Sequence, residues 1–217
     1  NADPRDPLEP FNRGVYSFNE GVDRAVLKPV AQVYNDTLPS TVRSGVRNFF
    51  NNLADAWTAV NALLQLRGQA AVESLFRFQV NTVFGLGGLI DIASDADIPR
   101  HREDFGKTLG RWGVPTGPYL VLPLLGPSTI RDTAALPVDT WGNPVSHLDD
   151  HGARYGLYGL RIIDARAQLL RASSVLDEAA LDKYSFTRDV YLQWRGASDY
   201  DGNADDPDAQ PGPAPAR

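Results

Sequence analysis

Apolar positions recur along this chain at steps of three and four residues almost from its start, and the pattern stops or turns at proline and glycine. Leu8, Phe11, Val15, Phe18 and Val22 form one helical stripe. Ahead of it, Asp6-Pro7-Leu8-Glu9 reads as a capping-box-like start, with Asp6 as N-cap, proline at the first helical position and an acid at the third. Pro29 opens a short helical turn through Tyr34. Pro39-Ser40 introduces a third helix, in which Val42, Val46, Phe49, Phe50 and Leu53 fall at helical spacing and which residues 57–66 continue. A helix over residues 69–84 sets Val72, Leu75, Phe76, Val80, Val83 and Phe84 on one face with Phe78 well off it, so its apolar coverage is wider than a simple stripe.

The run GLGGLI at 85–90 reads as an apolar turn, residues 95–102 as a polar loop, and 103–112 as a helix despite Gly106 and Gly110. Ser128 is placed to cap a helix reaching about Trp141, and Asp149 or Asp150 to cap another whose apolar surface is Tyr155, Tyr158, Leu160, Ile162, Ile163, Leu169 and Leu170. A last helix over 176–194 carries Leu181, Tyr184, Val190, Tyr191 and Trp194. Period-two alternation is absent over any useful length, which predicts an all-α class and a single domain of amphipathic helices. The expected division is a linker at 1–5, a helical domain at 6–196, and a disordered, acidic, proline-rich tail at 197–217.

One stretch fits none of these elements. GPYLVLPLLGP at 117–127 is nearly continuous in apolar residues, yet it is far shorter than the about 20 residues a spanning helix needs. Pro118, Pro123 and Pro127 also disfavour a regular helix or a central strand there.

Composition narrows the classes. At 217 residues, with 42% hydrophobic residues and a mean hydropathy of −0.30, the chain is ordinary for a folded domain with a real core. Five aspartates from Asp199 onward face Arg217 alone, so −4 of the net charge of −6 sits in the tail and −2 in the rest. No lysine and arginine cluster supports a nucleic-acid partner. With no cysteine, neither a disulfide scaffold nor a thiolate metal site is possible. Because the chain begins at Asn1, a processed or trimmed product is expected.

Catalytic and metal chemistry find little support. GLGGLID lacks the spacing and preceding strand of a phosphate loop, which leaves tight turning or close helix approach. His147 and His151 stand at i and i+4, but no HExxH is present, and an exposed loop with an aspartate cap is the better explanation. Asp91, Glu103 and Asp104 read as caps and surface acids, and nothing orients Ser128 as a nucleophile. Asparagines recur beside aromatics at Asn12, Asn19, Asn48, Asn51, Asn52 and Asn81. They serve either as buried amides bonding between helices or as ordinary helix termini on exposed faces.

Five blocks in order, DPLEPFNRGVYSFN (6–19), LKPVAQVY (27–34), VRSGVRNFFNNL (42–53), RFQVNTVFGLGGLIDIA (77–93) and EDFGKTLGRWGVPTGPYLVLPLLGPSTIRD (103–132), resemble the signature blocks of the MlaA family, also called VacJ lipoproteins, over residues 6–195. The resemblance implies an outer-membrane lipoprotein of Gram-negative bacteria, anchored through a lipidated cysteine that this chain lacks. It implies a ring-like helical platform in the periplasmic leaflet with an amphipathic channel. Its expected partners are phospholipid, a trimeric porin and a soluble MlaC-like periplasmic carrier. The implied function is retrograde removal of mislocalised phospholipid from the outer leaflet, with no cofactor, metal or catalytic residue. By motif position the resemblance assigns the channel to Gly117, Pro118, Tyr119, Leu120, Val121, Leu122, Pro123, Leu124, Leu125, Gly126 and Pro127, with Tyr119 to Leu125 lining or bordering it and Gly117, Pro118, Pro123, Gly126 and Pro127 fixing a loop or hairpin. Arg131 and Asp132 are assigned to mutual pairing or headgroup contact, Asn48, Phe49 and Phe50 to a helix shaping the channel, and 176–194 to carrier contact. A soluble periplasmic lipid-binding protein and a porin-associated structural lipoprotein are the alternatives.

Overall fold

A computed structural model describes residues 3–201. Helix α1 (Glu9–Val22) passes through a π-helical turn (Asp23–Leu27) into α2 (Lys28–Thr37). Pro29 has no N–H for the Ala25 carbonyl, and its ring crowds that carbonyl; widening the turn absorbs both effects without ending the helix. Then come α3 (Ser40–Leu64), α4 (Gly68–Val83), the short α5 (Ile92–Asp95) and α6 (Phe105–Arg111). A two-stranded antiparallel hairpin, β1 (Tyr119–Leu122) and β2 (Gly126–Thr129), leads into α7 (Ile130–Gly142). A 3₁₀ turn (Pro144–His147), α8 (His151–Gln168), α9 (Leu170–Ala179) and α10 (Lys183–Asp201) complete the described chain.

Packing closes a circuit. α3 contacts α8, α8 contacts α2, α1 contacts β1, β2 contacts α7, and α7 returns through α6 to α3. α4 lies along α3 outside this circuit, and α10 packs on α6 and β2. At the α3/α4 contact, Ala62, Ala70 and Ala71 are buried together, and such small side chains let two backbones approach closely.

The partition of side chains is inverted relative to a water-soluble protein. Among the described residues, eighteen polar or charged side chains are buried against thirteen hydrophobic ones, and the latter include no leucine, isoleucine or tryptophan. Helix α4 shows it directly: Ala70, Ala71, Ser74, Arg77 and Asn81 face inward while Val72, Leu75, Phe76, Val83 and Phe84 face out, with Val83 70% exposed. The apolar face expected over 69–84 therefore exists and points away from the protein.

Many of the buried polar groups hold one another. Arg77, 1% exposed, donates to Asp91 at 2.8 Å, to Ser94 Oγ at 3.0 Å and to the Ile98 carbonyl at 2.5 Å, and lies 3.4 Å from Asp55. Arg100 approaches the same two carboxylates, so two arginines neutralise two aspartates. Asn81 bonds both Asp91 and the Ala93 amide, fixing the turn after α4. In that turn a Cβ on Gly85 would collide with the Ile90 and Asn81 carbonyls, and Gly88 has a φ of 97° with Asn52 where its Cβ would be. The glycines serve close approach.

Several expectations need correction. Asp6 caps no helix: it is buried, accepting bonds from Asn12, Tyr184 and Arg188, and α1 starts after Leu8 without a side-chain cap. Ser128 lies in β2, and Thr129, with extended backbone, caps α7 by accepting from the Asp132 amide. The stretch at 117–127 takes the hairpin form of the loop or hairpin expected there, with strands at 119–122 and 126–129. A two-stranded hairpin has only edges, and an edge tolerates Pro127 opposite Val121. The last helix is two: Ala180 is extended, and Asp182 accepts from the Tyr184 and Ser185 amides to start α10. Asp91 caps the additional helix α5 before the polar loop. The tail expected at 197–217 lies beyond the described residues from position 202.

Candidate functional site

Helix α1 positions the hairpin through two asparagines. Asn12 donates to the Tyr119 carbonyl at 3.1 Å and accepts from the Val121 amide at 2.9 Å. Asn19 donates to the Leu122 carbonyl at 3.0 Å and accepts from the Leu124 amide at 2.8 Å. The free edge of β1 is thus bonded by side-chain amides. The strand alternates as a half-buried strand must: Tyr119 and Val121, 0% and 1% exposed, enter a cluster with Tyr184, against which Val15, Tyr16, Tyr191 and Leu192 pack. Burial pushes the Tyr119 hydroxyl pKa upward. Gly117, Leu124 and Gly126 take positive φ at the bends, and the tip exposes Leu124 and Leu125.

The Arg131–Asp132 pair is made at 3.2 Å and extends inward. Arg195 of α10 lies 2.8 Å from Asp132 and holds Asp104 with two bonds, the shorter 2.7 Å, while the Tyr191 hydroxyl donates to Asp132 at 3.1 Å. Burial raises Asp104, but the Arg195 bonds and charge outweigh it and leave the carboxyl below its usual range. Gly106 makes this junction possible, because its Cβ would stand 2.5 Å from Asp132 Oδ1 and 2.8 Å from Arg195 Nη2.

Four adjoining cavities occupy the space between α3, α6, α7, α8 and α10, and Glu103, Asp104 and Trp194 recur on their borders. The first, about 380 Å³, has an apolar wall of Phe50, Leu53 and Trp57 facing Asp139, Tyr158 and Arg161. Burial raises the pKa of Asp139, which accepts from Trp57 Nε1 and the Phe105 amide, both at 2.8 Å. The second, about 270 Å³, and the third, about 450 Å³, are bordered by Arg100, Arg102 and Lys107. The fourth, about 230 Å³, runs beneath the hairpin along Leu122, Leu125, Pro127 and Asp132. Together they can accommodate a ligand with both an apolar and a charged part.

The expected site residues divide accordingly. Leu122, Leu125, Pro127, Asp132 and Phe50 border these cavities. Tyr119 and Val121 are core residues that support the hairpin rather than face open space, and Gly117, Pro118, Leu120, Pro123, Leu124 and Gly126 shape it without bordering any of the four. Arg131 is buried beside Asp132. Asn48 donates to the Leu89 carbonyl at 3.1 Å, and the Phe49 ring meets Phe50 edge-on at 5.4 Å. His147 turns to the Trp141 carbonyl and His151 to Arg154, so the two imidazoles do not converge. Among the described residues no cluster of metal-ligand side chains occurs, and no helix is long and apolar enough to cross a membrane. Sequence reasoning gave no cavity role to Trp57, Asp139, Arg161 or Lys107, and placed Trp194 at the carrier contact rather than on the cavities. A single charge or indole among the mixed polar and apolar residues of these helices does not mark a cavity border.

A sequence model of the MlaA lipoprotein family matches residues 4–198. The intermembrane phospholipid transport system lipoprotein MlaA of Escherichia coli (strain K12) is 38% identical over 192 residues, covering 87% of this chain and 76% of that protein. The protein of the same description from Haemophilus influenzae is 36% identical over 204 residues, covering 88% and 78%. An uncharacterised protein of Rickettsia felis is 34% identical over 194 residues, covering 89% and 77%. A solved structure, described as the structural basis for maintenance of bacterial outer membrane lipid asymmetry, superposes with a TM-score of 0.78 at 37% identity, covering 91% of this chain and 99% of that one.

Proposed function

The chain belongs to the MlaA lipoprotein family, and from that premise we propose that it transports phospholipid at the outer membrane, drawing molecules misplaced in the outer leaflet through an amphipathic passage. The observation that carries this reading is the inverted partition. Outward faces rich in Val, Leu and Phe match the hydrocarbon of a leaflet, in which amphipathic helices lie with their apolar side buried about 5–10 Å. An interior of charged and amide groups borders cavities where a headgroup avoids hydrocarbon while its chains stay against Phe50, Leu53 and Trp57.

In this reading the protein sits in the periplasmic leaflet and delivers lipid to a soluble MlaC-like carrier, with a porin trimer as its neighbour in the membrane. The outward face of α10, where Phe186 and Val190 are exposed, is assigned to carrier contact. Lowering the barrier to headgroup passage needs positioned polar groups and no reacting residue. Of the turn at 123–125, Leu125 borders the fourth cavity, and a cavity border is where irregular backbone is acceptable at membrane depth.

The test is to fill the first cavity from α3 by Ala54→Trp in cells that depend on this protein. Phospholipid should accumulate in the outer leaflet while the variant reaches the membrane at normal abundance. Unchanged lipid distribution with that variant would reject the passage. Monodispersity in water without detergent would instead favour a soluble lipid-binding protein.

A further inference from the structure

The cations around the central cavities are not equally neutralised. Arg67 is paired to Glu103 at 2.7 Å, Arg195 to Asp104, and Arg77 and Arg100 to Asp55 and Asp91. Three others are left over. Arg102 and Lys107 border both the second and third cavities, and Arg161 borders the first and second. Among the described residues none offers any of the three a carboxylate within 4.0 Å; Lys107 bonds the Arg102 carbonyl, and the nearby Asp104 is already committed to Arg195. Asp139, which has no cation within 4.0 Å among the described residues, borders the first cavity together with Arg161 and also the fourth, but not the two that hold Arg102 and Lys107.

We propose that Arg102, Lys107 and Arg161 form a station for an anionic headgroup, selecting acidic glycerophospholipids such as phosphatidylglycerol over zwitterionic ones; this rests on the phospholipid-transport reading above. A phosphate beside this set meets three point charges and their N–H donors, and charge-assisted bonds of this kind are the stronger class. A zwitterionic lipid brings the same phosphate but also an ammonium, which the three cations repel. Glu103 offers that ammonium little, because Arg67 and Gln65 already bond it. The apolar wall of Phe50, Leu53 and Trp57 adjoins the station across Arg161, so chains and headgroup have separate walls.

The test is titration of the full chain in neutral detergent with dihexanoyl phosphatidylglycerol, dihexanoyl phosphatidylcholine and glycerol phosphate, read by tryptophan fluorescence from Trp57 and Trp194, which border the cavities. The glycerol lipid should bind more tightly than the choline lipid. That ratio should fall about fivefold for each of Arg102→Gln, Lys107→Gln and Arg161→Gln, the effect of one basic residue on an anionic lipid. Arg161→Lys should keep most of the preference, and Arg171→Gln, an exposed cation away from the cavities, should leave it unchanged. Thermal melts identify any variant that fails to fold, and the remaining two then decide. Equal binding of the two lipids overturns the selectivity and leaves the transport reading standing. Glycerol phosphate binding as tightly as the lipid reassigns the station to a soluble anion and overturns it. Saturable binding of neither lipid overturns the transport reading and this inference together.

Discussion

Asn12 and Asn19 stand seven residues apart on α1, and each bonds a carbonyl and an amide of the hairpin, Asn12 at Tyr119 and Val121 in β1, Asn19 at Leu122 and at Leu124 in the turn. The spacing is a match between two geometries. Seven helical residues rise about 10.5 Å, and the three-residue step along the strand advances about 10 Å. A helix therefore serves as the strand's hydrogen-bonding neighbour, with amides in place of backbone. Asn12→Leu leaves the buried Val121 amide and Asp6 carboxylate short of partners and is expected to cost about 3 kcal/mol, whereas Asn19→Leu, nearer the surface, costs about 1 kcal/mol. Denaturation in detergent, followed by tyrosine fluorescence of the hairpin cluster, measures both.

Gly106 is the next discriminating position. A methyl group there enters the space between Asp132 and Arg195 and forces that pair apart, which for a buried pair costs about 3–5 kcal/mol. Gly14, on a helix face with nothing within 4 Å of its would-be Cβ, provides the contrast: Gly14→Ala should stabilise by about 0.5–1 kcal/mol. Equal melting temperatures for the two variants would remove the Asp132–Arg195 junction from the account of stability.

The outward faces make a prediction whose size depends on the surroundings. In water, Phe76→Asp and Val83→Asp on α4 would change stability by no more than about 0.5 kcal/mol, since both side chains are exposed. In a leaflet, an aspartate at full depth costs about 2.5–3.5 kcal/mol. Co-sedimentation with vesicles should fall sharply for these variants while their helical circular dichroism in detergent is retained. Undiminished sedimentation would mean that this face does not meet lipid.

Asp139 supplies a pH dependence with a definite sign. Burial raises its folded-state pKa, so the native state holds the proton more tightly than the unfolded chain. Its contribution is favourable to folding at acid pH and is lost as pH rises from the unfolded carboxyl value through the raised folded one. Asp139→Asn keeps an oxygen to accept from Trp57 and Phe105 and removes the titration. The variant should melt above the parent at neutral pH, with the gap closing toward the pH at which the unfolded aspartate is protonated. A gap independent of pH would assign the effect to something other than this proton.

The helical framework was legible because its signals are local. Pro39-Ser40 starts α3, Asp150 caps α8, and the step of three and four carries α4. Which side of each helix faces inward was not local information. A stripe of Val, Leu and Phe is the same in a sequence whether it meets a core or a lipid tail, and only the family resemblance distinguished them. A loop or hairpin at 117–127 was legible from its glycines and prolines, but its register and its docking were not, because the partner of its outer edge is a helix bearing Asn12 and Asn19, not a third strand. Asp6 and Ser128 fit cap patterns, yet distant partners, Tyr184 and Arg188 for Asp6 and the β1 strand for Ser128, fixed them elsewhere. The cavities join α3, α7, α8 and α10, and no spacing in the chain announces such a meeting.

The inverted interior also has a calorimetric consequence. The heat capacity of unfolding grows with newly wetted apolar area and shrinks with newly wetted polar area. Here the groups released from the interior are mainly arginine, aspartate, asparagine, threonine and alanine, while the valines and phenylalanines of α4 are already outside. In detergent, the heat-capacity increment per residue should fall below the about 12–15 cal/mol/K of ordinary domains. The stability curve is then nearly flat in temperature, and cooling neither strengthens nor weakens the fold to the extent that it does for a protein built around an oily core.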